Sequence, residues 1–241
     1  MIELLDLALL AHGGLERWQQ ATTIHAGVAV GGIALTRRQQ GEIFADTEAT
    51  VDVQRQHVVF ADFTGPGRRG VYTPGHVAIE DADGTVLQER RRPREAFTGL
   101  DQTSAWDQLH ALYFGGYALW NYLTTPYLLT FPGVQAEEVK PWDEAGERWR
   151  RLRVTFPRDI ATHSTEQTFY FDQSGLLRRH DYRVEIQGKA PALSAHYTEA
   201  HRTVSGLVFP THRYVVPTAD DNTSLPGPVL LSIDLAGITV S

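Results

Sequence analysis

The most constraining feature of the chain is a change of hydrophobic period that happens twice. From Ile24 onward apolar residues recur every second position, as in strands with one buried face. Ile24, Ala26, Val28 and Val30 share one side, and the pattern breaks at Gly31-Gly32, where a bulge or turn is expected. It reappears in 41–54, 56–63, 69–73 and 76–80, and Asp83-Gly84 between Val77-Ala78-Ile79 and Val86-Leu87 marks a hairpin. Residues 103–131 are different: they are apolar almost all round and crowded with aromatics. A helix without a polar side must be buried, so this stretch is expected to be a helical insertion covered by the sheet. Gly115-Gly116 and Pro126 predict two short helices with a bend between them.

The strand period then returns. Leu152, Val154 and Phe156 alternate with Arg151, Arg153 and Thr155; 167–171 is a strand, and Asp172-Gln173-Ser174-Gly175 is a turn. In 176–186, Leu177, Arg179, Asp181, Arg183 and Glu185 form a charged, outward side. Arg178, His180, Tyr182, Val184 and Ile186 form the inward row. Strands at 193–204, 207–216 and 229–240 complete the series, with 217–228 a long polar loop. Before the first strand, Leu4, Leu7, Ala8, Ala11, Leu15 and Trp18 fit a helical stripe that Gly13-Gly14 bends or splits. The expected fold is mainly β (α+β): a curved, unclosed antiparallel β-barrel covered by an N-terminal helix and a central helical insertion. It forms a single domain over residues 1–241, since neither a linker nor an internal repeat is visible.

Composition narrows the function classes. There is no Cys among 241 residues, which removes thiol nucleophiles, thiolate metal sites and dithiol redox chemistry. The formal charge of −7 argues against nucleic acid. Arg90, Arg91, Arg92 and Arg94 are bracketed by Glu89 and Glu95, as in a solvated loop or sheet edge. The N-terminus has no basic start and no small-residue cleavage site, so a secretory leader is not expected and the location is expected to be cytoplasmic. No apolar run is long enough for a membrane span. His196, His201, His212 and His163 lack metal-ligand spacing, since the offset of five positions from His196 to His201 would send them to opposite faces of a regular strand. No metal or other cofactor is expected, and the pattern is silent on oligomeric state.

Two segments carry a resemblance. YFDQSGLLRRHDYRVEI (170–186) and YTEAHRTVSGLVFPTHRYVV (197–216) combine an Asp-x-x-Gly-Leu turn with a Gly-Leu-x-Phe-Pro step into the next strand. Over about residues 3–216 the chain resembles the bacterial lipoprotein-carrier (LolA/LolB-like) superfamily. The resemblance implies an unclosed, strongly curved barrel lidded by helices, with acyl chains held in its concave face. Some relatives with this fold are small intracellular enzymes, so it also leaves catalysis open.

Candidate ligand-binding residues are therefore Trp106, His110, Tyr113, Tyr117, Trp120 and Asn121 from the insertion, with Arg178, His180 and Tyr182 from the inward row. Large amphipathic rings around a few polar atoms suit a hydrophobic small molecule such as an acyl chain, isoprenoid or aromatic metabolite; the same rings could equally fill a core. The alternative is a cofactor-independent cyclase, isomerase or dehydratase with His180 and Tyr182 as its acid–base pair and Asn121 or His110 positioning. An interaction module using the free sheet edge is a third reading.

Overall fold

The computed structural model describes residues 2–188 and 191–241. A single antiparallel sheet of thirteen strands organises the chain. Strands β1 (Thr23–Gly31), β2 (Thr47–Asp52), β3 (His57–Ala61), β4 (Arg69–Thr73), β5 (His76–Glu80) and β6 (Val86–Arg91) form one meander. Strands β7 (Gln135–Glu144), β8 (Glu147–Thr155), β9 (Glu166–Phe171), β10 (Leu177–Arg183), β11 (Leu193–Val204), β12 (Leu207–Pro217) and β13 (Leu231–Val240) form the other. The two join where β1 pairs with β13, so β6 and β7 are unjoined edges and the sheet is an open, curved barrel. Arg90 and Arg91 lie on the β6 edge, as their solvated setting predicts.

Gly13 and Gly14 split the N-terminal stripe into α1 (Glu3–Ala11) and α2 (Leu15–Gln19). Leu4, Leu5, Ala8, Leu9 and Trp18 are buried in the main core. A four-residue helix, α3 (Ala34–Arg37), lies in the long connection 32–46 between β1 and β2, part of which the period of two had assigned to a strand. Among the described residues no helix is long and apolar enough to cross a membrane.

The central insertion corrects the expected bend. It is one unbroken helix, α4 (Gln108–Thr124), started by an Asp107–His110 capping box and packed on β2 through β6. Its two glycines are there for approach. A Cβ on Gly115 would fall 2.4 Å from the Phe44 ring, and one on Gly116 2.2 Å from Tyr72. A short 3-10 turn (Tyr127–Thr130) follows.

Strand β10 holds a second correction. The register shifts between Leu177 and Arg179, and this bulge turns Leu177 inward, into the main core. Arg178 is sent to the outer face, where it borders Glu144, Tyr197, Glu199 and Tyr214. Arg178 is thus separated from the inward row to which strict alternation assigns it. Arg179 and Asp181 do point outward, yet both are buried, because the 218–228 loop and the β7–β8 hairpin cover them.

Candidate functional site

Between α4 and the β1–β13 seam lies a slot walled by Val28, Val30, Leu35, Phe44, Phe60, Phe114, Ala118, Leu119, Leu231 and Ile233. Tyr122 is its sole residue with a polar side chain. The open space measures about 40 Å³, enough for a water-sized group and far short of an acyl chain. Much of the volume expected as cavity is thus taken by α4 itself. Segment 32–46 closes the slot by pressing Phe44 against Gly115. Polar tethers hold that segment: Arg38 donates to the carbonyls of Asp101 and Ser104 (2.9 Å for the latter), and Gln40 Nε2 to that of Trp106 at 2.7 Å.

Behind Tyr122 runs a buried chain of polar rings. His163 sits between two tyrosines, with the Tyr117 hydroxyl 3.1 Å from Nδ1 and the Tyr122 hydroxyl 2.6 Å from Nε2. Tyr122 and Tyr182 hydroxyls are 3.1 Å apart, and Tyr182 reaches His196 Nδ1 at 3.2 Å. His163 and Tyr182 also stack, 4.0 Å between ring centres. Burial keeps the histidines neutral: it draws His163 down to about 3 and holds His180 and His196 well below the ordinary imidazole value. Burial likewise raises Tyr117, Tyr122 and Tyr182 above the usual phenol range. At neutral pH this is a chain of uncharged donors and acceptors.

The structure brings some of the sequence candidates together and scatters the rest. Tyr117 and Tyr182 belong to the chain of rings. Asn121 is beside it, with Nδ2 donating to the Tyr117 and Ala161 carbonyls at 2.6 and 3.0 Å. His180 is on the same face, held through Nε2 by Gln167 and stacked on Phe169. Trp120 ties the helix to β2 through the Asp52 carbonyl, 2.8 Å. Trp106, His110 and Tyr113 gather elsewhere, around Phe97. His110 caps α4 and Trp106 lies under Arg38, 5.0 Å from the ring centre, so both have structural work already. Three buried polar residues here were not among the binding candidates. His163 lies in an irregular stretch between β8 and β9, His196 on β11 is one of several strand histidines, and Arg213 on β12, which donates to the Tyr122 carbonyl, is one of many strand arginines; no local pattern marks any of them.

A larger groove of about 1200 Å³ passes Arg94, Phe97, Leu100 and Glu185; it is solvent-facing, and the Glu185 N–H donates to the His163 carbonyl at 2.9 Å, so its wall adjoins the backbone of the chain of rings. Among the described residues no three His, Asp or Glu side chains are arranged to hold a metal ion. His212 pairs outside with Asp234, 2.7 Å.

No family model matches the chain, and no curated protein matches it in sequence. Solved structures do. One, a LolA superfamily protein from Nitrosomonas europaea, aligns with a TM-score of 0.54 at 9% identity over 99% of this chain and 92% of its own. A DUF1329 family protein from Desulfovibrio piger gives 0.54 at 10% identity over the same shares.

Proposed function

On a LolA-like fold with a closed apolar slot, we propose that this protein binds a hydrophobic small molecule between α4 and the β1–β13 seam. The supporting observation is the slot's chemistry: ten apolar walls, one tyrosine, and a cover fastened by polar tethers. The cover also carries two buried apolar side chains, Leu35 and Phe44, so lifting it exposes apolar surface that the tail of a ligand would cover again. The ligand class is an acyl chain, isoprenoid or aromatic metabolite. It enters when segment 32–46 lifts and Phe44 leaves Gly115, because about 40 Å³ does not admit it otherwise.

Calorimetric titration of dodecanol into delipidated protein tests this reading. The wild type is expected to bind one equivalent. Ala118→Val, which adds two methyl groups to the slot wall, is expected to weaken binding at least about tenfold, since each lost buried methylene is worth ~0.8 kcal/mol and the space is shared. Unchanged affinity in that variant, or no binding by the wild type, would remove the slot as the site.

A second reading, acid–base catalysis, has one observation in its favour: the continuous Tyr117–His163–Tyr122–Tyr182–His196 chain is a proton path of groups with strongly displaced pKa values. His180 and Tyr182, its sequence-level acid–base pair, stand ring to ring at 4.9 Å. Turnover surviving His180→Ala on any substrate found would exclude that pair.

A further inference from the structure

The direction of the hydrogen bonds in the buried chain can be worked out by counting protons. Each tyrosine hydroxyl has one, and each neutral imidazole has one. If Tyr117 donates to His163 Nδ1, then His163 Nε2–H donates to Tyr122, Tyr122 to Tyr182, and Tyr182 to His196 Nδ1. Every proton is then used except that on His196 Nε2. The reverse direction strands the Tyr117 proton and also leaves a bare lone pair on His196 Nε2. The first arrangement satisfies more groups, and it ends on an N–H that is buried and has no partner.

A second unpartnered donor lies beside it. Arg213 is 1% exposed, and its Nε is buried and unpaired. In the β11–β12 register His196 faces Val215 and Arg213 faces Thr198, so the two side chains are diagonal neighbours on one face. Both rest on the same ring: His196 edge-on to Tyr122 at 4.6 Å, and the Arg213 guanidinium 5.2 Å from the Tyr122 centre. Arg213 donates to the Tyr122 carbonyl at 2.8 Å and lies directly opposite the slot residue Ile233 on β13. The groups shaping its field are Tyr122 and Tyr182, with His12, His196 and His201 also near, and none is a carboxylate. The other fully buried arginine shows what such a group normally requires: Arg179 has Asp181 at 2.7 Å and Glu144 at 2.8 Å. A buried cation lacking its counter-charge is costly unless something supplies one.

We propose that Arg213 and His196 are the head-group end of the slot and take the carboxylate of a single-chain amphiphile whose tail lies among the slot's apolar walls. Arg213 Nε–H and His196 Nε2–H donate to the two carboxylate oxygens, which gives the arginine its missing anion and the chain of rings its missing acceptor. The assignment rests on the slot reading and adds the chemical class of the ligand.

The probes are dodecanoate and dodecanol, identical but for the head, titrated separately into the delipidated protein at pH 8. Dodecanoate is expected to bind at least about tenfold more tightly, the usual worth of a charge-assisted hydrogen bond. Arg213→Met is expected to bring dodecanoate down to the affinity of dodecanol. Should that variant fail to fold, His196→Phe keeps a ring against Tyr122 and is expected to reduce the carboxylate preference several-fold, and the wild-type comparison needs no variant at all. Equal wild-type affinities overturn the head-group assignment and leave the slot intact. Absence of binding by both probes overturns the slot and this assignment together.

Discussion

Gly116 is the point at which one carbon atom decides how close α4 can come to the sheet. An added Cβ would lie 2.2 Å from Tyr72 Cγ and 2.5 Å from its Cβ, inside any real contact distance. Tyr72 is fully buried and belongs to the main core, so it has nowhere to swing. Gly116→Ala gains helix propensity of about 1 kcal/mol, yet the overlap outweighs it. The expected net loss is about 1–3 kcal/mol, read as a lower urea midpoint at unchanged slope. A variant as stable as the wild type would show that the helix has slack to retreat. The same residues explain the misplaced bend: a Gly pair reads as a break in sequence, and only the ring opposite reveals it as a contact.

On the outer side of β9, β10 and β11 the 218–228 loop acts as a strap, and Asn222 is its fastening. Asn222 Nδ2 donates to the Tyr170 hydroxyl at 2.8 Å and to Asp181 at 2.9 Å, while its own carbonyl oxygens receive Arg179 at 2.8 and 3.1 Å. Asn222→Ala leaves Tyr170 and Asp181 each short of a donor and Arg179 short of an acceptor. The expected cost is about 1–3 kcal/mol, with faster proteolytic nicking within 218–228 than in the wild type. A nicking rate equal to wild type would mean the strap is held by other contacts. Here the legible and illegible parts of the sequence separate. Strands with one buried side, such as β1 and β2, announce themselves through alternation, and the Asp83-Gly84 and Asp172–Gly175 turns through local chemistry. Strand β7 (QAEEVKPWDE) does not, because an edge strand with both sides largely solvated has no reason to alternate. Arg178 was assigned inward because a bulge is invisible to a strict period of two. The Tyr117–His163 and Tyr122–His163 bonds span 46 and 41 residues, and nothing local foretells which rings will meet.

For the molecule as a whole, the consequence of an interior built on neutral histidines is sensitivity to acid. Burial draws His12 and His201 down to about 4 and His163 to about 3, with His180 and His196 well below the ordinary 6.5. An unfolded histidine takes up its proton near 6.5 while the folded one cannot, so the unfolded state binds more protons and stability falls as pH drops from 6.5 toward 3–4. For His163 alone the loss at pH 5 is about 2 kcal/mol, from a shift spanning 1.5 pH units of that window. The depressed carboxyls of Asp101 and Asp107, at about 2, act in a different range: their contribution is present above about 3.8 and is lost only as pH falls through 2. Destabilisation between pH 6.5 and 4 therefore belongs to the buried histidines. Urea midpoints measured at pH 7.5, 6.0 and 5.0 are expected to fall at each step, more steeply below 6.5 than above it. A flat profile from 7.5 to 5.0 would mean that these rings take up protons as readily folded as unfolded, against the depression that burial imposes, and the one-way chain of donors would then be broken by pH 5.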